Sequence, residues 1–126
     1  MQQSSEVFFA SSNEHKFEEA QRILSTLGVN IKLFKTTLEE IQSNSLNEIA
    51  KRKAIDAFTK IQKPILIEDD GLFINSLNGF PGPYSSYAYD TIGNTGIIQL
   101  LENTELRDAK FVAIIAYCNG IDEVKL

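Results

Sequence analysis

Three consecutive acidic residues, Glu68, Asp69 and Asp70, are the strongest chemical signal in the chain because they directly follow a short aliphatic run. Carboxylate oxygens are the hard ligands that Mg²⁺ prefers, usually one or two of them together with waters and substrate phosphates. Adjacent carboxylates repel one another, and a bound cation relieves that repulsion. Acids before a glycine, here Gly71, are also typical of a solvated turn. A further carboxylate, Glu40, lies in an earlier polar segment.

A polar loop formed by Ser11, Ser12 and Asn13, with Lys16 shortly after it, follows the first apolar run of the chain. A helix beginning here would direct backbone N–H groups and the positive end of its dipole at an anion such as phosphate. Serine and asparagine are also ordinary helix caps, and the lysine would then be a solvated surface residue. Taken alone, the loop indicates a phosphate site only weakly.

Lys53 interrupts the apolar face of a second predicted helix, among Ala50, Ala54 and Ala57. Burying an ammonium group without a partner is costly, so an inward-pointing Lys53 should meet an acid or a ligand phosphate. The alternative is a lysine that extends along the edge of the apolar face into water. Together the acids, the loop and Lys53 supply a metal site, hydrogen-bond donors and a cation, which is the outline of a triphosphate site.

Strands must hold these clusters in place, and apolar runs bounded by polar residues predict where they lie. The predicted strands cover 7–10, 31–34, 65–67 and 111–117, with a hairpin return strand from 124. The acidic residues are therefore predicted to lie at the end of the third strand. Cys118 follows the fourth, in apolar surroundings, and we expect it to be buried rather than reactive.

Helices are predicted between the strands from apolar residues at helical spacing. They run from the Ser11 loop to Gly28, from Ser45 to Pro64, and over 95–101. Ser11 with Glu14, and Ser45 with Glu48, fit capping boxes at the first two helix starts. The alternation predicts an α/β fold: a mixed sheet flanked by helices, with a ligand cleft at the carboxyl ends of the strands.

The composition fits one globular domain over 1–126, with 43% hydrophobic and 23% charged residues. The formal net charge of −5 gives no electrostatic reason to bind nucleic acid or an anionic membrane. No apolar segment is long enough to span a bilayer and the start of the chain has no leader pattern, so we expect a cytoplasmic protein.

Five motifs, in the same order, resemble the inosine/xanthosine triphosphate pyrophosphatase family. Residues 11–16 resemble its Ser/Thr-Gly-Asn-x-x-Lys loop, and residues 68–72 resemble its Glu/Asp-Asp-Ser-Gly-Leu strand end. Between them, Glu40 resembles the family's acidic loop residue, and Lys53-Ala54 its Lys-Ala helix. Residues 77–85 resemble its Leu-x-Gly-x-Pro-Gly-x-Tyr-Ser stretch.

The resemblance implies magnesium-dependent hydrolysis of a nucleoside triphosphate at the α–β linkage, giving the monophosphate and pyrophosphate, with ITP, dITP and XTP as substrates. It implies Mg²⁺ binding by Glu40 and Asp69, with Asp69 also orienting or deprotonating the attacking water, and Glu68 in support. It also implies a homodimer. The residues that it assigns to the substrate are Ser11, Ser12, Asn13, Lys16, Lys53, Asp70 and Ser85.

Three positions depart from the family pattern: Ser12 replaces a glycine, Asp70 replaces a serine or threonine, and Tyr87 replaces an arginine. The resemblance also covers only the N-terminal two thirds of the pattern, without the segment that supplies most of the base recognition. The alternative hypothesis is therefore a truncated, incomplete domain that binds magnesium and nucleotide phosphates without efficient turnover. A phosphatase with an aspartate nucleophile is a weaker alternative, since position 71 is glycine where that class needs a second aspartate.

Four aromatic residues lie in the loop-rich stretch that follows. They are Phe80, Tyr84, Tyr87 and Tyr89. Aromatic residues are enriched at protein interfaces, so this stretch is a candidate partner surface. The alternative is a local cover over the sheet.

Overall fold

A computed structural model describes residues 6–120 and 124–126. In that part of the chain, strands and helices form a mixed α/β fold. The strands are β1 (Val7–Ser11), β2 (Ile31–Lys35), β3 (Ile65–Ile74), β4 (Pro81–Gly82), β5 (Ala109–Cys118) and β6 (Val124–Lys125). The helices are α1 (Glu14–Ser25), α2 (Leu46–Ile61), α3 (Ser85–Thr91) and α4 (Gly93–Leu100). The turn of the predicted final hairpin lies partly outside the described residues.

The sheet has the order β2-β1-β3-β5-β6, with the short β4 paired to β3. β1 pairs in parallel with β2 and β3, whereas β3 and β5 are antiparallel along their full length. The predicted mixed sheet is therefore confirmed. β1 leaves β3 early, since its last partner there is Leu66. The carboxyl end of β1 consequently opens beside the acidic residues of β3.

Helix α2 covers one face of the sheet and builds the main core. Its alanines, Ala50, Ala54 and Ala57, are fully buried against Ile65 and Ile67 of β3. Burying each of these isoleucines contributes about 1.5–3 kcal/mol. The small alanine side chains allow α2 to approach the sheet closely. Cys118 is buried in the same cluster, as the sequence predicts.

Helix α1 covers the opposite face only near β1, where the rings of Phe9 and Phe17 pack with their centroids 6.3 Å apart. Side chains of β5 on that face stay open: Phe111 is 81% exposed and Ile115 is 49% exposed. The α1 face of the sheet is therefore covered on one side and open on the other.

The predicted end of the third strand is wrong. β3 continues through the acidic residues to Ile74, because β5 pairs with every one of its residues, including Asp69 opposite Ile114. The acids thus lie in the middle of a strand, although they lie just beyond the point where β1 separates from it.

The first predicted helix start is also shifted. β1 extends through Ser11, which pairs with Lys35, so α1 cannot begin there. Asn13 is the N-cap instead, and its Oδ1 accepts hydrogen bonds from the N–H groups of His15 at 2.9 Å and Lys16 at 3.4 Å. The Ser45 cap of α2 is confirmed, since its Oγ accepts from the N–H of Glu48 at 3.2 Å.

Helix α3 was not predicted, because its exposed tyrosines, Tyr87 and Tyr89, follow a run of glycine and proline that reads as a turn. α4 begins at Gly93, two residues before the predicted start. These two short helices form the far wall of the site described next.

Candidate active site

One cleft of about 570 Å³ opens at the carboxyl end of β1. It contains every residue that the sequence singled out for metal or substrate. On its charged side these are Ser11, Ser12, Asn13, Lys16, Glu40, Lys53, Glu68, Asp69, Asp70 and Ser85. The fold therefore brings the three sequence clusters into one place, as expected; the role of each residue remains a prediction.

Strand β3 divides the charged side chains between two faces. Consecutive residues of a strand point to opposite faces, so Glu68 and Asp70 lie on the α1 face and Asp69 lies on the α2 face. Lys16 of α1 places its Nζ 2.9 Å from Glu68 Oε2 and 3.5 Å from Asp70 Oδ2. The first lysine thus bridges two carboxylates.

Lys53 of α2 does the same on the other face. Its Nζ lies 3.0 Å from Glu40 Oε1 and 3.5 Å from Asp69 Oδ1, and its side chain is only 16% exposed. The prediction that Lys53 points inward and meets an acid is confirmed, and the alternative of a lysine extending into water is wrong. Each lysine of the cleft is therefore paired with two acids.

Burial shifts the protonation of these acids. It raises the pKa of Asp69, and the Lys53 ammonium opposes the shift. Burial also raises the pKa of Glu68 to about 7, with a contribution from its hydrogen bond to Asp70, although Lys16 favours the ionised form. The pKa of Asp70 is lowered by that same hydrogen bond and by Lys16. Of these two neighbouring acids, Glu68 is therefore the one that takes up a proton first as the pH falls.

The start of α1 contributes polar backbone to the same cleft. Ser11 Oγ accepts the N–H of Asn13 at 3.0 Å, and Asn13 in turn caps the helix. This chain of local bonds fixes the loop with the positive end of the helix dipole toward the acids. A phosphate in the cleft would meet that end of α1 and Lys16 together.

Ser85 links β3 to the β4 segment through two hydrogen bonds. Its Oγ donates to the carbonyl of Gly82 at 2.6 Å and accepts from the N–H of Leu72 at 2.8 Å. A hydroxyl has one proton to donate, so Ser85 can receive further hydrogen bonds but has no proton left for a phosphate. The sequence motif placed Ser85 in the cleft but did not reveal this tie between β3 and α3.

Gly71 makes that tie possible. A Cβ at this position would overlap the carbonyl oxygen of Gly82, so only glycine lets the β4 segment cross β3 so closely. The sequence showed Gly71 only as a turn signal. Its real role is close packing between two backbones.

The acidic side chains alone do not provide a complete set of metal ligands. Within residues 6–120 and 124–126, no group of three or more histidine, cysteine or acidic side chains is arranged to hold a metal ion. Glu40 and Asp69 nevertheless converge on one cationic group, the Lys53 ammonium. Two carboxylates with further ligands from water and phosphate are the usual protein share of a Mg²⁺ site.

The sequence profile of the Ham1 family matches residues 7–126. The chain belongs to the Ham1 family. This confirms the family resemblance drawn from the five motifs.

Relatives with named activities are similar over most of the chain. The dITP/XTP pyrophosphatase of Methanopyrus kandleri is 46% identical over 112 residues, which cover 89% of this chain and 60% of the relative. The dITP/XTP pyrophosphatase of Korarchaeum cryptofilum is 45% identical over 118 residues, covering 92% and 64% respectively. This Ham1-family chain therefore spans less than two thirds of the length of these relatives.

A solved structure confirms the fold. The Staphylococcus aureus Ham1 protein superposes with a TM-score of 0.76 at 28% identity, covering 95% of this chain and 66% of that one. In the described residues of the present Ham1-family chain, no helix is long and apolar enough to cross a membrane.

The apolar wall of the cleft was missed by sequence reasoning. Leu72, Tyr89, Ile97 and Phe111 line it together with two prolines. The only sequence signal was alternation: Phe111 lies on the same face of β5 as Ile115, opposite the residues that α2 buries. That signal needs the strand pairing before it can be used.

Proposed function

We propose that this chain is a magnesium-dependent nucleoside triphosphate pyrophosphatase that converts deaminated purine nucleotides such as ITP, dITP and XTP to the monophosphate and pyrophosphate. The observation that carries the proposal is the charged half of the cleft, where Lys16 of α1 and Lys53 of α2 each bridge two carboxylates. The relatives named dITP/XTP pyrophosphatases support the substrate class.

The lysines bind the polyphosphate. Lys16 and Lys53 are held by carboxylates in the free chain, and both ammonium groups line the open cleft. A phosphate oxygen can take the place of one carboxylate at each lysine without moving the backbone. Asn13 fixes the loop through capping bonds that occupy the N–H groups of His15 and Lys16. The start of α1 therefore acts on the same phosphates through the positive end of its dipole.

Glu40 and Asp69 would hold Mg²⁺. Their oxygens converge on one cationic group, and Glu40 is 62% exposed, which leaves it free to adjust. When bound, Mg²⁺ neutralises charge on the phosphate oxygens and orients them for in-line attack. Lys53, which lies between these two acids in the open cleft, would neutralise charge on the polyphosphate.

Asp69 orients or deprotonates the attacking water. Its carboxylate is fixed by a hydrogen bond from the N–H of Asp70 to its Oδ1 at 3.0 Å. Burial raises its pKa, which makes the ionised form a better proton acceptor than an exposed aspartate. Glu68 supports the site by holding Lys16.

The test is pyrophosphate release from ITP, XTP, dGTP and ATP with Mg²⁺. Asp69→Asn keeps the size of the side chain and should abolish release, whereas Asp90→Asn, an exposed aspartate of α3, should leave it unchanged. Melting curves of both variants establish that they fold. Release by the unmodified chain that does not exceed the Asp69→Asn background would refute the pyrophosphatase proposal.

A second candidate function is binding without efficient turnover. It is favoured by Asp70, a carboxylate beside Lys16 where the family pattern has a hydroxyl. Calorimetric titration with Mg²⁺ and α,β-methylene ITP separates the two functions. Tight binding together with no pyrophosphate release identifies the binding function.

We also propose a cytoplasmic homodimer. Phe80, Tyr84 and Tyr87 are 40–72% exposed on one stretch around β4 and α3, which suits a partner surface. Light scattering on the purified chain should give twice the mass of 14.1 kDa. A monomeric mass that persists at high concentration would contradict the dimer.

A further inference from the structure

The cleft has a second half that the phosphates and the metal do not use. Beyond the lysines and acids, its wall is formed by Leu72 of β3, Tyr89 of α3, Ile97 of α4 and Phe111 of β5. Phe111 is 81% exposed and Tyr89 is 65% exposed, so both rings stand open to solvent inside the cleft. Large aromatic rings left open in a concave site are typical of a ligand surface.

The strand pairing connects this wall to the charged half. Leu72 lies two residues beyond Asp70 on the same face of β3, which corresponds to about 6.6 Å along the strand. Phe111 lies directly opposite Leu72 in the register, and Ala113 lies opposite Asp70. The Phe111 ring is therefore on the α1 face of the sheet, the face from which Lys16 reaches Glu68 and Asp70.

This arrangement fixes the order of groups along the face. A ligand whose phosphates contact Lys16 extends over Asp70 and then Leu72 before it meets Phe111. Ala113, beside Asp70, is too small to obstruct the path. The group that arrives at Phe111 must be flat and weakly polar to gain from the contact, and in a nucleotide that group is the base.

We propose that Phe111 is the stacking platform for the base of the bound nucleotide, with Tyr89 lining the same pocket. The inference rests on the proposed function, which supplies the phosphate anchor. Stacking of a base on an aromatic side chain contributes about 1–3 kcal/mol and tolerates any base, because every base has a π-face. The platform selects by ring area, so it favours purines over pyrimidines.

Binding measurements with and without a base test the platform. The probes are α,β-methylene ITP, α,β-methylene UTP and inorganic tripolyphosphate, each with Mg²⁺. Phe111→Ala should weaken the inosine ligand by about 5- to 150-fold, from the stacking energy at 1.4 kcal/mol per tenfold, and leave tripolyphosphate unchanged. The matched control is Ile115→Ala, on the same strand and face but 49% exposed and outside the cleft lining.

A fluorescent variant tests the contact between the base and position 111 directly, without relying on a loss of affinity. The chain has no tryptophan, so Phe111→Trp introduces a single one at the platform. Its emission should be quenched by the inosine ligand, less by the uridine ligand, and not by tripolyphosphate. This variant also restores the affinity that Phe111→Ala loses.

Three results would overturn the inference. One is an unchanged affinity of Phe111→Ala for the inosine ligand while the unmodified chain binds tripolyphosphate, which leaves the proposed function standing. Another is an equal loss of tripolyphosphate affinity in Phe111→Ala, which would make Phe111 a support of the phosphate end. The third is an unmodified chain that binds none of the probes, in which case the proposed function fails and the platform fails with it.

Discussion

Replacing Lys53 with methionine should destabilise the folded chain by leaving Asp69 without its cation. Methionine keeps an unbranched apolar side chain as far as Cε, with sulfur in place of Cδ, and lacks the ammonium group. The Asp69 side chain is 11% exposed, so little water reaches it to replace the lost charge. Glu40, on the other side of Lys53, is well exposed and contributes little, about 0–1 kcal/mol for such a surface pair.

The magnitude follows from the distance. At 3.5 Å and an effective dielectric constant of about 20, the Lys53–Asp69 attraction is about 5 kcal/mol before desolvation. Part of that attraction is offset by the cost of burying the Lys53 ammonium, which methionine does not incur. We expect a net loss of about 2 kcal/mol in the free energy of unfolding at pH 8. For a urea dependence of about 1–3 kcal/mol per M, the midpoint falls by roughly 1 M.

The dependence on pH distinguishes this cause from a packing defect. Burial raises the pKa of Asp69 in the folded chain above its ordinary value of 3.8, and without Lys53 it rises further. A group with a raised folded pKa stabilises the chain below its unfolded pKa and loses that stability as the pH rises through the folded pKa. The deficit of Lys53→Met should therefore be largest at pH 8 and shrink on acidification.

Urea unfolding at several pH values, with and without Mg²⁺, measures the effect. Lys51→Met is the matched control, because it makes the same change at an exposed position of α2. The double variant Lys53→Met/Asp69→Asn should recover most of the lost stability, since no buried charge remains. Lys53→Met as stable at pH 8 as Lys51→Met would show that the ion pair contributes nothing.

The other predictions concern β3. Because burial raises the pKa of Glu68 to about 7 from 4.5, the free energy of unfolding should fall as the pH rises between these values, and Glu68→Gln should remove that slope in urea titrations. Gly71→Ala should destabilise the chain by about 1–3 kcal/mol, because its methyl group overlaps the Gly82 carbonyl; a melting curve equal to that of the unmodified chain would contradict this contact. Asp70→Ser frees Lys16 from one of its two acids, so affinity for tripolyphosphate without metal should rise by about 2- to 5-fold in calorimetry, and an unchanged affinity would argue against that competition.

Local sequence patterns predicted much of the fold. Apolar runs predicted β1, β2 and β5 to within two residues at each end, and the Ser45 cap placed the start of α2 correctly. These features depend on neighbours close in the chain, and local patterns report them well. The charged clusters of the cleft were also found from residue type and spacing, whereas Ser85 was found from the family resemblance.

The errors have a common physical origin in distant pairing. β3 continues past Ile67 because β5, about forty residues later, supplies its partners, and no local pattern announces this. α1 begins at Asn13 because β2 holds Ser11 in the sheet. The apolar wall around Phe111 depends on the same β3–β5 register. Sequence reasoning therefore predicted the charged half of the cleft and missed the apolar half.

The alternation of Glu68, Asp69 and Asp70 between two faces has a consequence for changes in chain length. A single residue inserted between Ile67 and Glu68 would turn every one of these carboxylates to the opposite face. Lys16 would then face one acid where it now has two, and Lys53 would face Glu68 and Asp70 in addition to Glu40, three acids where it now has two. The stretch from Ile65 to Asp70 should therefore accept no insertion or deletion, whereas the loop over 102–108, outside the sheet, should accept both. Among Ham1-family chains, insertions and deletions should therefore be found in the loop over 102–108 and not in the stretch over 65–70.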